Sequence, residues 1–466
     1  MQHRGRRSIA RRLSGVLLCP VLILLAACGG GGMDSVEAPE SGTIDINVTG
    51  QTVTKVRAAG KQVAFLEEQL HSIFEEGPRR SLQLVSGSGD PLQPYTVPAG
   101  WSLIDFTLHP SGDLTVVLTT SKEVRLVRLD HNGTVRSDQP FVDPAVPGDP
   151  FFNYAGGLKA DESLQPALMH DAVRLAPLGE SLVLALRTGR NAVVAYRLDP
   201  EVDGTYRQAW RTLVEPGASI LAIGITSGTF DVFGQLQNHL RVYMDVNGEG
   251  ILAIGVVEAP MSNYTFRAHA DYFSEPIAAS TGVLLTRVAT QDGRRLGSTV
   301  IDTQRRAELH GLRATSNGFA VVGRVLTEVR PDGTGWDAFA ASVAQDGSLY
   351  IYKTVDVDRG DVLFDIAQLA NGQYLAVGTT GYVQNPSGES ISESAQPLLV
   401  VLEPDGSLVQ NLGFPAGPRH NQLTTIVRGA GGWLLGGMVN GPGTHSGDTD
   451  RSLLVADGFL RERVAW

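Results

Sequence analysis

The sequence predicts an all-β fold, a β-propeller of about seven four-stranded antiparallel blades, with eight as the alternative count. Three observations carry that expectation. A pair of apolar strands joined through a glycine recurs along the chain. A third apolar strand, ending in an Asp- or Gly-bearing turn, follows inside almost every copy. Composition agrees, since 54 glycines and 24 prolines in 466 residues of 42% apolar content favour many tight turns over long helices.

The clearest copy spans residues 363–412. Leu363 to Leu369 is an apolar stretch ending in Ala370-Asn371-Gly372, and Tyr374-Leu375-Ala376-Val377-Gly378 follows at once. After a polar loop, Leu398 to Leu402 stops at Pro404-Asp405-Gly406 before Ser407 to Leu412. Asn-Gly and Asp-Gly between apolar runs signal hairpins, because tight turns need positive φ, which costs glycine nothing. Two hairpins in sequence make one four-stranded sheet.

The strand-ending glycine recurs at Gly60, Gly112, Gly179, Gly250, Gly318, Gly372 and Gly432, at intervals of 52 to 71 residues. The second marker follows at Asp130 to Gly133, Asp199 to Gly204, Asp292-Gly293, Asp346-Gly347 and Asp457-Gly458. In the first copy Ser81 to Val85 supplies the third strand, with Ser86 to Asp90 as its turn. Each sheet has an apolar face that it cannot bury alone, and radial stacking around a channel buries all of them. A β-helix, whose coils are shorter and more even, is the rival. The Ile220 to Ile225 and Phe230 to Phe233 stretches could form an eighth unit or an insertion. The last copy has only Phe459 to Trp466 for an outer strand, so Thr43 to Val48 is expected to lie beside it and close the ring.

Composition also excludes partners. The formal charge is −11, and five arginines lie in the first twelve residues, so a chain without its leader would carry −16. An acidic body lacks the cationic surface that nucleic acid or anionic headgroups require. The N-terminus has a basic segment to Arg12, an apolar core from Leu13 to Ala27, and then Cys28. That core is short for a membrane span and has the pattern of an export signal. Leu25-Ala26-Ala27-Cys28 resembles a bacterial lipobox, and the resemblance implies cleavage before Cys28 and acylation of that cysteine. It divides the chain into a signal peptide (1–27), a flexible tether (28–41) and the propeller (42–466). The membrane would then be a partner through the acyl chains on Cys28. Gly29 rather than Asp at the next position implies outer-membrane sorting, on the periplasmic or the surface face. With Cys19 removed and Cys28 acylated, the body would hold no thiol and no disulfide. The repeats resemble generic propeller units of exported bacterial proteins. The Asp-x-x-Thr-Gly-x-x-x-Trp signature of quinoprotein-like propellers is absent, so no activity comes with the resemblance.

Candidate sites are few. His445, Asp448 and Asp450 form a compact set of metal-ligating side chains in the loop between the second and third strands of the last copy. Its structural counterpart is an ordinary solvated loop. Tyr264, Phe266, His269, Asp271, Tyr272 and Phe273 crowd one long loop and suggest a contact surface, against packing on their own propeller. Asp245 to Gly250 has alternating oxygen ligands but Val256 where an EF-hand closes with an acid, so its glycine serves the repeat. Arg359-Gly360-Asp361 matches an integrin tripeptide but sits between two strands and is set aside. Seven scattered histidines, at 109, 131, 170, 239, 310, 420 and 445, could meet only through the fold. No nucleophile elbow, phosphate loop or dinucleotide fingerprint is present, so no cofactor is expected. The expected function is a non-enzymatic binding or scaffolding propeller, anchored in the bacterial envelope, for a protein, peptide or glycan. The alternative is an exported hydrolase or lyase with a metal-assisted site at the channel mouth. Three or more carboxylates or imidazoles converging there would favour the enzyme, and an apolar, hydroxyl-lined channel would sink it.

Overall fold

The computed structural model describes residues 41–69, 79–92, 95–120, 123–141, 173–187, 193–215, 242–258, 282–305, 307–328, 335–381, 395–414, 420–441 and 457–463. Among these residues every regular element is a strand, and the strands form seven antiparallel sheets. Numbered from the N-terminus, blades 1 to 7 begin with the strands Thr52–Ala59, Ser102–Leu108, Val173–Leu178, Tyr243–Val246, Ala307–Thr315, Val362–Gln368 and His420–Arg428. Each first strand touches the next, and the seventh touches the first. The chain is therefore a seven-bladed β-propeller, with its first strands around the axis. The 220–233 stretch lies outside the described residues.

Burial explains why the blades need one another. Seven apolar clusters are present, each made from two adjacent blades. The one between blades 7 and 1 unites Leu434 and Leu460 with Val53, Val56 and Phe65, all nearly inaccessible. Each such large side chain contributes about 1.5–3 kcal/mol through burial, so no sheet gives up its neighbour cheaply.

Ring closure follows the expectation. Ser41–Val48 pairs antiparallel with Asp457–Arg463, with Ile46 opposite Leu460, and so supplies the fourth strand of blade 7. One boundary is corrected. Asp457–Arg463 is the third strand of that blade, paired along Trp433–Gly441, and Asp457-Gly458 lies inside it instead of forming a turn. Gly458 answers a different need there: a Cβ would sit 2.5 Å from the carbonyl oxygen of Gln51, where the chain passes into blade 1. In blade 1, three strands are completed by bridges from Leu82 to Tyr95 and from Val85 to Pro91.

Both glycine markers have physical roles. Six of the seven strand-ending glycines adopt positive φ, from 56° at Gly60 to 154° at Gly318. The outer turns also fasten neighbouring blades. Ser137, Thr212 and Thr299, each on the fourth strand of one blade, donate hydroxyl hydrogen bonds of 2.6 Å to the carbonyls of Gly204, Gly293 and Gly347 in the next.

Candidate ligand site in the central channel

First strands carry an irregularity that pairing alone reveals. In blades 1, 2, 5, 6 and 7 the register slips by one residue, leaving Thr54, Ile104, His310, Phe364 and Thr424 as bulged residues. A β-bulge re-aims a side chain and bends its strand. All five bulged residues line one cavity on the propeller axis, of about 180 Å³. The bulges also account for a repeated glycine. At Gly323, Gly378 and Gly437, opposite the bulges of blades 5, 6 and 7, a Cβ would lie 1.9, 1.8 and 2.1 Å from the carbonyl oxygens of Glu308, Val362 and Gln422.

The cavity also draws Lys55 and Arg57 from blade 1, Asp105 from blade 2, Arg174 from blade 3, Arg313 from blade 5 and Asp365 from blade 6. The acids tie blades together. Asp105 accepts the Leu175 amide of blade 3 at 2.7 Å, Asp245 the Ala314 amide of blade 5 at 2.9 Å, and Asp365 the Ile426 amide of blade 7 at 3.0 Å. Thus the aspartate of each even-numbered blade accepts an amide from the first strand of the blade that follows. Asp365 also receives both arms of Arg313, at 2.7 and 2.6 Å, the bidentate geometry that guanidinium and carboxylate favour. Lys55 donates to Asp105 and, at 3.0 Å, to the carbonyl of Phe106.

The charges do not cancel. Burial, assisted by Arg57 and Arg174, pulls the Lys55 ammonium down to about 7, against Asp105. Burial pushes the Asp105 carboxyl up, but Lys55 and Arg174 outweigh it and the net displacement is downward. For Arg313, burial works against the charge and Asp365 more than restores it. Arg57 is the exception: burial and then repulsion from Arg313 lower its value despite Asp245, Asp105 and Asp365. Its Nε is buried and meets no hydrogen-bond partner among the described residues. Aromatic surface adjoins these charges, with Arg174 5.9 Å from the Tyr243 ring and His310 edge-on to Phe364 at 5.3 Å.

Among the described residues, one position singled out in the sequence, His310, lines this cavity. Cys28, Tyr264, Phe266, His269, Asp271, Tyr272, Phe273, His445, Asp448 and Asp450 lie outside the described residues, as do His170 and His239. His109 is a buried structural histidine, with Nδ1 3.1 Å from the Gly179 carbonyl and Nε2 2.8 Å from the Thr115 hydroxyl. His131 belongs to an outer turn, and among the described histidines only His310 lines the channel. The Asp245 to Gly250 turn is committed to backbone: Asn247 Oδ1 accepts the amides of Glu249 and Ile251. In Arg359-Gly360-Asp361 the aspartate is fully buried, accepting the amides of Val357 and Asp358 at 2.7 and 3.2 Å, so the tripeptide is not displayed. Among the described residues no group of three or more His, Cys, Asp or Glu side chains could hold a metal ion. Among the described residues the channel lining is a mixed ring of charged and apolar groups with a cationic surplus.

Fold and cavity together define the class: a seven-bladed β-propeller with a charged axial site. No protein-family profile matches the chain, and no curated protein matches it. Solved propellers resemble it distantly. A streptogramin B lyase is 9% identical with TM-score 0.44, covering 91% of this chain and all of that one. YCF48 bound to D1 peptide is 10% identical with TM-score 0.46, over 93% and 99%. The β-propeller domain of the Trilobed protease from Pyrococcus furiosus is 7% identical with TM-score 0.42, over 90% and 96%. Their names span a lyase, a peptide complex and a protease, and at this distance none of these activities carries over.

Proposed function

We propose that the chain is a lipoprotein of the bacterial envelope, acylated at Cys28, whose propeller binds a protein, peptide or glycan partner without transforming it. The supporting observation is the axial cavity. First strands from around the ring bring recognition groups there, guanidinium, ammonium and aromatic side chains, while its aspartates are engaged with cations and backbone amides. Such a site holds charge in a fixed geometry. A nucleophile would instead need a base within hydrogen-bonding reach and a third group to orient that base. The resemblance of residues 25–28 to a lipobox supports the address, and Gly29 after the cysteine supports outer-membrane anchoring, on the periplasmic or the surface face.

Two experiments test the reading. Labelling with a palmitate analogue should mark the wild type and not Cys28→Ser; an unlabelled wild type refutes the anchor. Capture from native envelopes on the full-length protein should recover a partner unchanged in mass. Release of that partner as a cleaved product would refute binding without chemistry.

A further inference from the structure

We infer that the axial cavity is a site for the carboxylate of an organic acid with an apolar or aromatic body, with Arg57 as its principal anchor. The inference rests on the binding reading above and names the ligand class of that same site. Five cations line the cavity; Arg80 is paired with Glu68 at 2.8 Å, which leaves Lys55, Arg57, Arg174 and Arg313 against three aspartates, Asp105, Asp245 and Asp365, that stand among or beside them. The aspartates are engaged by neighbours: Asp105 by Lys55 and the Leu175 amide, Asp365 by Arg313 and the Ile426 amide, Asp245 by the Ala314 amide. One positive charge is left over, and the buried Nε of Arg57 meets no hydrogen-bond partner among the described residues. A guanidinium held that way is costly, and an entering carboxylate supplies the counter-charge it lacks.

The remainder of the wall selects the body of the ligand. Phe364 and Tyr243 are only partly buried and line the cavity alongside His310, so the anion's neighbours are aromatic faces and edges as well as charges. A fully hydrated inorganic anion would lose its water there and gain little from those rings. An organic carboxylate places its charge on Arg57 and its apolar body on the aromatic wall. The space suffices, because one water needs only about 10–15 Å³ and the cavity has about 180 Å³.

Isothermal titration of the purified full-length chain at constant ionic strength tests this with 3-phenylpropionate, its neutral amide and sulfate. The expected result is single-site binding of phenylpropionate, none of the amide, and weaker binding of sulfate. Arg57→Gln should lower the phenylpropionate affinity about 10- to 100-fold, the loss of a hydrogen-bonded charge. Arg57→Lys, which keeps the charge and loses the fork, should fall between, and it carries the comparison if the glutamine variant does not fold. Gly-Gly-Phe and its C-terminal amide distinguish the sources. Binding of phenylpropionate alone assigns the site to free acids, and binding of both carboxylates extends it to chain ends. The inference is overturned by no carboxylate binding up to about 10 mM, by equal affinity for acid and amide, by sulfate binding as tightly as phenylpropionate, or by unchanged affinity in both Arg57 variants. A captured envelope partner that binds Arg57→Gln as well as wild type leaves the binding reading standing and removes only this ligand class.

Discussion

Replacing Asp365 by alanine should destabilise the ring more than any other single change to a channel aspartate. Its side chain is 7% exposed and accepts both arms of Arg313. It also accepts the amides of Ile366 and Ile426 at 2.9 and 3.0 Å and the Thr425 hydroxyl at 3.1 Å. Alanine leaves those donors unmet and strands Arg313 without its counter-charge. Breaking a buried pair in this way costs about 3–5 kcal/mol. With about 2.1 cal/mol/K of unfolding entropy per residue, a propeller of roughly 400 residues should melt about 4–6 °C lower. Scanning calorimetry on the full-length chain reads that shift. Adding Arg313→Met to Asp365→Ala removes the stranded charge and should recover at least about 2 kcal/mol, or about 2 °C. A drop below about 1 °C for the single variant, or a double variant no better than the single, would refute the argument that this pair ties blades 5, 6 and 7 together.

Three further changes probe other parts of the fold. Gly378→Ala places a Cβ 1.8 Å from the Val362 carbonyl and should cost at least about 3 kcal/mol by urea unfolding, because the bulge of blade 6 must move; an undisturbed midpoint contradicts the role given to that glycine. Ile44→Ala, in the N-terminal strand that completes blade 7, should cost about 2–5 kcal/mol as a core deletion, whereas a strand that does not dock would give nearly none. Asp361 has its carboxyl pushed up to about 6 by burial, against the pull of the Val357 and Asp358 amides. The folded chain therefore binds a proton between about pH 4 and 6 that the unfolded chain has already released. Stability should fall by about 3 kcal/mol as pH rises through that window, and Asp361→Asn should lose the slope; an equal slope in both removes Asp361 as its source.

Much of the architecture was legible because glycine signals are local. Gly372 and Gly406 mark turns wherever an apolar run stops, and the closing strand could be foreseen because the last copy lacked an outer edge. The same locality misled at Asp457-Gly458, where the glycine allows close approach to Gln51 instead of a turn, and a dipeptide cannot distinguish those two demands. The channel was not found from sequence. Its bulges exist only in the pairing register, and its charges lie far apart in the chain, at positions such as Lys55, Arg174 and Asp365. A signal was nonetheless present: Asp105 and Asp365 are lone charges inside first strands that are otherwise almost wholly apolar. Aligning the copies with one another would have exposed that ring. The loops singled out instead, those of Tyr264 to Phe273 and His445 to Asp450, lie outside the described residues.

The claim that the partner is held at the axis can be tested in native envelopes by a photo-crosslinking amino acid placed at Phe364. That bulged residue lines the cavity, and Val202, wholly exposed in the outer turn of blade 3, serves as the comparison site. An adduct from position 364 and none from 202 is the predicted result. An adduct from 202 with none from 364 would contradict it.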